Sequence, residues 1–268
     1  MRTNKRRPSA RLAEGAWLVT GAASGFGREV ARRLLEGGRT VVALDRDAAA
    51  LEGLAAADRS DRGTLIRLTA DVTDPAAVRA ALDRAAGEGA RIAHVFHSAG
   101  VLAVGPAETL PASEYRRMIE VNFLGSVHVA QAAIPALRDS ARTGRATLTF
   151  VASVAGLRGF PELAGYSASK FAVVGFAQAL RDELAESGVA VRVLCPPPGD
   201  TPMVRNLAKV PPIYKLSPLF SATEVIDAYF AGLEAQGWIA LVDLRSKALW
   251  RVGRFAPWIL DAVVRRAT

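Results

Sequence analysis

WLVTGAASGFGREVARRLLEG, Trp17 to Gly37, runs from bulky apolar residues through three glycines into a stretch with helical spacing. WLVT reads as a buried strand and GREVARRLLEG as a helix, because its apolar residues recur three and four apart. Between them Gly21, Gly25 and Gly27 are spaced G-x-x-x-G-x-G. Glycine lets the chain turn sharply and brings backbone N–H groups close to a phosphate at the helix amino terminus. A glycine-rich turn joining a first strand to a first helix points to a dinucleotide cradle more than to a plain tight connection.

The same alternation continues down the chain. Strands are expected at TVVALD (40–45), TLIRLTA (64–70), IAHVFHS (92–98), ATLTFVAS (146–153), VAVRVLC (189–195) and WIALVD (238–243). Helices are expected at AAALEGLAAA, PAAVRAALDRAA, one long segment from Ser113 to Leu137, and SKFAVVGFAQALRDELAE. Near-continuous apolar strands separated by helices imply a parallel sheet covered on both faces. The expectation is one doubly wound α/β domain over residues 14–243, after a disordered basic arm (1–13) and before a basic amphipathic extension (244–268). Seven prolines between Pro196 and Pro218 mark residues 196–220 as a loop over the binding site.

Composition narrows the function. The chain has 268 residues and a net charge of +8. Residues 1–11 hold five basic groups and no acid, and residues 243–268 hold six basic groups and two acids. The body between them is therefore nearly neutral, which argues against a nucleic-acid-binding face. The single cysteine, Cys195, excludes an internal disulfide and reads as a buried thiol at a strand end. The sequence shows no secretory signal and no apolar run of membrane-spanning length, so a cytoplasmic protein is expected.

YSASK, Tyr166 to Lys170, sets a phenol and an ammonium one helical turn apart. Alone, the pair reads first as a half-buried tyrosine with a solvated lysine, and only second as a phenol tuned for proton transfer near neutral pH. The surrounding motifs decide. TGAASGFG, ADV at 70–72, HSAG at 97–100, VNFLG with Asn122, then Ser153 and YSASK follow one another as in the short-chain dehydrogenase/reductase family. The chain resembles that family from about Trp17 to Thr201.

The resemblance implies a Rossmann-type fold with a seven-stranded parallel sheet, and hydride transfer between a nicotinamide and an alcohol or ketone carbon. It makes Tyr166 the proton donor and acceptor, with Lys170 the cation that assists it and holds the nicotinamide ribose. Ser153 positions the substrate oxygen, and Asn122 holds a water in a proton relay. The dinucleotide contacts it implies are Gly21, Ala23, Ser24, Gly25, Phe26 and Gly27 in the loop, then Asp45 and Arg46 after the second strand. Asp71 and Val72 flank the adenine, and Ser98, Ala99 and Gly100 follow the fourth strand. Pro198, Gly199 and Thr201 complete the set with Tyr166 and Lys170. An acid at Asp45 suits free ribose hydroxyls, whereas Arg46 beside it suits a 2′-phosphate; with Ser24 in the loop, NAD(H) is favoured over NADP(H). Where the family has N-N-A-G this chain has His97-Ser98-Ala99-Gly100. No His, Cys and Asp cluster has metal-ligand spacing, so no metal is expected.

PPPGDTPM, Pro196 to Met203, resembles the family's common P-G-x-x-x-T with residues missing, or, without a gap, the P-P-x-x-D-T-P of 3-ketodihydrosphingosine reductases. That branch reduces a ketone on a long alkyl chain at a membrane surface. SKALWRVGRFAPWILDAVVRR near the carboxy terminus mixes Trp250, Phe255, Trp258, Ile259, Leu260 and Val263 with arginines, the make-up of an interfacial segment. Pro257 splits it into two short helices. The expected substrate is thus a lipid-like or hydrophobic alcohol or ketone, with peripheral membrane contact through this segment. Packing on the body or on a partner subunit is the alternative for the segment. A polar or polyketide-type carbonyl, or a non-catalytic dinucleotide-sensing scaffold, is the alternative for the protein. The family also implies a homodimer or homotetramer.

Overall fold

Val, Leu and Ala fill the strands so densely that hardly any polar face remains, and the structure uses this to cover one sheet on both sides. The computed structural model describes residues 11–56, 63–216, 218–233 and 237–267, so most of the expected basic arm lies outside the described residues. Six strands follow in chain order: β1 (Ala16–Thr20), β2 (Val41–Asp45), β3 (Leu65–Thr69), β4 (Ile92–His97), β5 (Ala146–Val151) and β6 (Val189–Leu194). The short pair β7 (Gly199–Asp200) and β8 (Phe220–Ser221) stands apart, and β9 (Ile239–Ala240) joins the main sheet. Its order is β3-β2-β1-β4-β5-β6-β9, with every neighbour parallel. Every residue of β1, β4 and β5 is buried, as a doubly covered parallel sheet requires.

The helices are α1 (Gly25–Glu36), α2 (Ala48–Ala56), α3 (Pro75–Gly87), α4 (Ala112–Met118), α5 (Gly125–Ser140) and α6 (Ala164–Glu183). After them come α7 (Pro202–Arg205), α8 (Ala222–Ala231), α9 (Leu244–Phe255) and α10 (Pro257–Ala267). One core joins Val30, Leu34 and Leu35 of α1 and Val225, Ile226 and Tyr229 of α8 to β1 and β2. The other joins Val78 and Leu82 of α3, Val129 and Leu137 of α5, and Val173 and Leu180 of α6 to the opposite face. Because strand order reverses between β1 and β4, their carboxyl ends open a crevice, the place where such sheets bind ligands.

Three expectations change. The long helix from Ser113 to Leu137 is interrupted by a π-helical turn, Ile119–Leu124, between α4 and α5. WIALVD contributes only Ile239 and Ala240 to the sheet, because Asp243 turns the chain away by accepting the Ser246 and Arg245 N–H groups that start α9. Helix α8 was not anticipated. It begins with a capping box in which the Ser221 hydroxyl accepts from Glu224 N–H and the Glu224 carboxylate accepts from Ser221 N–H. Pro257 does divide the final segment into α9 and α10.

Candidate active site

The glycine turn is shaped by close backbone approach. Gly21 has φ +65°, and a Cβ there would lie 2.8 Å from the Ala99 nitrogen after β4. A Cβ on Gly27 would lie 2.1 Å from the Gly21 carbonyl oxygen, so α1 can follow β1 this closely only with glycine. Ser24, the residue before α1, makes no side-chain cap, and the first turn of α1 carries no acid. The opening N–H groups of α1 are therefore left for an anion in the crevice. Asp45, at the end of β2, braces the loop: its Oδ2 accepts from Ala23 N–H at 3.0 Å and its Oδ1 from Asp47 N–H at 3.1 Å.

A cavity of about 330 Å³ fills the crevice. Gly21, Ala23, Ser24, Gly25 and Phe26 line it from the loop, and Asp45, Arg46, Asp71 and Val72 from beyond β2 and β3. Ser98, Ala99 and Gly100 line it after β4, Ser153, Tyr166 and Lys170 on its reactive side, and Pro198, Gly199 and Thr201 on its far wall. Gly27 and Asn122 lie behind this surface. Gly27 works through the backbone approach just described. Asn122 is buried, donates to the Val101 carbonyl and the Ser169 hydroxyl, and accepts from Val101 N–H at 2.7 Å. A Cβ on Gly100 would lie 3.1 Å from the Asn122 Oδ1 and 3.4 Å from the Lys170 Nζ, so the turn after β4 runs close between the two side chains. The exposed helix start, the glycine-lined floor and the acid at the end of β2 together fit a dinucleotide.

The reactive side is dry. Tyr166 and Lys170 are both buried, and Lys170 donates from Nζ to the Val151 carbonyl at 2.9 Å. Burial lowers Lys170 to about 8. Burial also raises the Tyr166 phenol above its ordinary value, a nearby phenol, Tyr214, adds to the rise, and a hydrogen bond with Ser153 opposes it. The expectation that Lys170 tunes the phenol downward is corrected in this state: the ammonium, 5.7 Å from the ring centre, is committed to Val151, and desolvation dominates. Cys195 is buried and pushed up to about 12, an inert thiol.

His97 occupies a structural post. Thr20 Oγ1 accepts from Ser98 N–H at 3.2 Å and Ala99 N–H at 3.3 Å, and lies 2.7 Å from His97 Nδ1. With its lone pairs engaged, the Thr20 hydroxyl gives its one proton to Nδ1, which puts the ring proton on Nε2. Burial lowers His97 to about 3, so the ring is neutral. The motif departure therefore supports the turn after β4 through Thr20.

Tyr214, Met203, Val204 and Leu102 also line the cavity and were not singled out in the sequence. The proline-rich segment was expected to cover the site, but nothing in its local pattern marks which side chains turn inward. Tyr214 lies on a 3₁₀ turn, Pro212–Leu216, against which α10 packs. Among the described residues no group of three or more His, Cys, Asp and Glu could hold a metal ion. Among them, too, no helix is long and apolar enough to cross a membrane.

Comparison with known proteins identifies the family. The family model for short chain dehydrogenase matches residues 16–211. A 1-deoxy-11-beta-hydroxypentalenate dehydrogenase of Streptomyces avermitilis is 37% identical over 218 residues, covering 81% of this chain and 80% of that one. A 3-dehydrosphinganine reductase of Arabidopsis thaliana is 34% identical, covering 81% of this chain and 66% of the relative, which bears out the local similarity read in the sequence. Among solved structures are two short chain dehydrogenases of Burkholderia. The one from Burkholderia cenocepacia, in complex with NADP, has a TM-score of 0.79 at 26% identity over 96% of this chain and 98% of its own. The one from Burkholderia phymatum, in complex with NAD, has a TM-score of 0.80 at 25% identity over 93% and 96%. The chain thus belongs to the short-chain dehydrogenases, nicotinamide-dependent oxidoreductases of the alcohol–carbonyl couple.

Proposed function

We propose that this enzyme interconverts an apolar secondary alcohol and its ketone, with NAD(H) preferred. The observation that carries the reading is that Ser153, Tyr166 and Lys170 open on the same cavity as the glycine loop. Bound dinucleotide supplies the two-electron acceptor or donor. Tyr166 exchanges the proton with the substrate oxygen, and Ser153 holds that oxygen against the phenol. Lys170, lowered to about 8, can pass a proton on near neutral pH. Asn122, across Gly100 from Lys170, holds the water that returns it to solvent.

The NAD(H) preference rests on charge. Asp45 and Asp47 both border the cavity beside Arg46, so a 2′-phosphate meets two carboxylates for one guanidinium. The apolar substrate reading rests on the wall beyond Tyr166, where Val101, Leu102 and Tyr214 line the cavity and pack on Phe160 and Leu163 behind it. The similarity to a 3-dehydrosphinganine reductase supports a lipid-like substrate. Phe255, Trp258 and Ile259 are exposed beside Arg251 and Arg254, which supports contact with a bilayer surface. Following reduction of NAD and NADP with secondary alcohols of increasing chain length tests the reading. Rates should rise with chain length and be higher with NAD. No turnover with any of them would overturn it.

A further inference from the structure

Tyr214 has a feature that its neighbours in the wall lack. Its ring packs in the apolar cluster formed by Met118, Phe160, Leu163, Tyr166 and Val264, so the side chain is held from behind by α10. Tyr214 lines the cavity that Ser153 and Tyr166 share, and its phenol is near enough to Tyr166 to act on it electrostatically. Among the described residues the Tyr214 hydroxyl makes no hydrogen bond; only its backbone N–H does, to the Pro211 carbonyl. Tyr214 is half-buried, and a hydroxyl beside a cavity with no protein partner is free to bond a ligand there. An apolar wall for a plain hydrocarbon would be filled better by phenylalanine.

We propose that Tyr214 is a specificity-determining residue that hydrogen-bonds a second oxygen of the substrate, so that the preferred alcohol or ketone carries a hydroxyl or carbonyl group near its reacting carbon. The inference rests on the dehydrogenase reading above and deepens it. Burial raises Tyr214 to about 12, so the phenol stays neutral through the working range and both donates and accepts. Sites built to bond a substrate hydroxyl discriminate against analogues that lack it, because the protein group is then left unpaired.

The test compares a secondary decanol with the decanediol that carries a second hydroxyl on the neighbouring carbon, in wild type and in Tyr214→Phe. Wild type should favour the diol in kcat/KM. The variant keeps the ring and its packing, so the diol-to-monool ratio should fall roughly three- to tenfold, the worth of a neutral hydrogen bond. Most of that change should appear in KM if the bond is made equally in the ground and transition states. Val264→Ala, which loosens the backing of the ring without touching the cavity, should lower the same ratio in the same direction. A ratio unchanged in Tyr214→Phe would overturn the proposal while leaving the dehydrogenase reading intact. A wild type inert toward both alcohols with either dinucleotide would overturn both.

Discussion

Burial makes the Tyr166 oxygen reluctant to ionise, so the role proposed for it rests on position as much as on acidity. Tyr166→Phe removes the hydroxyl and keeps the ring in its cluster. Turnover should fall by about 10²–10⁴ or more, while the dinucleotide dissociation constant, read by fluorescence, stays near that of wild type. Near-normal turnover would refute the assignment. Besides the cofactor preference proposed for it, the Asp45 carboxylate holds the Ala23 N–H. Asp45→Asn keeps an acceptor for that bond and removes the charge, so the NADP-to-NAD ratio of kcat/KM should rise about tenfold or more; a wild type already preferring NADP would contradict the choice. YSASK and the glycines were legible because their chemistry depends on spacing along the chain. Tyr214 was not, because only the fold carries it from a 3₁₀ turn to the phenol of Tyr166.

At the scale of elements, periodicity located the strands and most helices, and it failed where a side chain or a cap overrode it. The stretch from Ser113 to Leu137 has one continuous helical pattern, yet Asn122 bonds across to Val101 and Ser169, and a π turn accommodates it. Helix α8 was missed although S-x-x-E at Ser221 to Glu224 was on view, because its apolar run is short and follows a proline-rich segment. That capping box makes a prediction of its own. Ser221→Ala should lower the unfolding free energy by about 1 kcal/mol in urea titration without altering KM for the dinucleotide. An unchanged midpoint would mean that α8 is held by Val225, Ile226 and Tyr229 alone. Element α10 is fastened to the turn after Ser153 by the Arg158–Asp261 ion pair at 2.8 Å and to the cavity wall by Val264. The extension read as amphipathic therefore spends one face on the body and leaves Phe255, Trp258 and Ile259 outside.

Across the whole molecule, two buried histidines make stability depend on pH. His94 is lowered to about 4 and His97 to about 3 from an ordinary 6.5, both by desolvation. Below pH 6.5 the unfolded chain binds protons that the folded one refuses, so stability present at neutral pH is lost as pH falls towards those values. The urea midpoint should drop measurably from pH 7 to pH 5, before most carboxylates titrate; equal midpoints would show that the rings are solvated. The exposed aromatic tip predicts co-sedimentation with anionic liposomes at low salt, weakened by high salt and abolished by truncation after Asp243. Equal recovery in the supernatant under all conditions would leave the tip as a contact between subunits.

The cavity has a floor from the first half of the chain and a lid from its end. The glycine loop, Asp45 and Gly100 are made early, whereas Met203, Tyr214 and Val264 come from the far side of β6. Drift in the late segments can therefore change which alcohol is admitted without disturbing the nucleotide seat. A graft of residues 203–216 together with α10 from a relative should transfer that relative's taste in alcohols and leave the host's choice between NAD and NADP in place. A graft that changed both choices together would show that the two are not separately heritable.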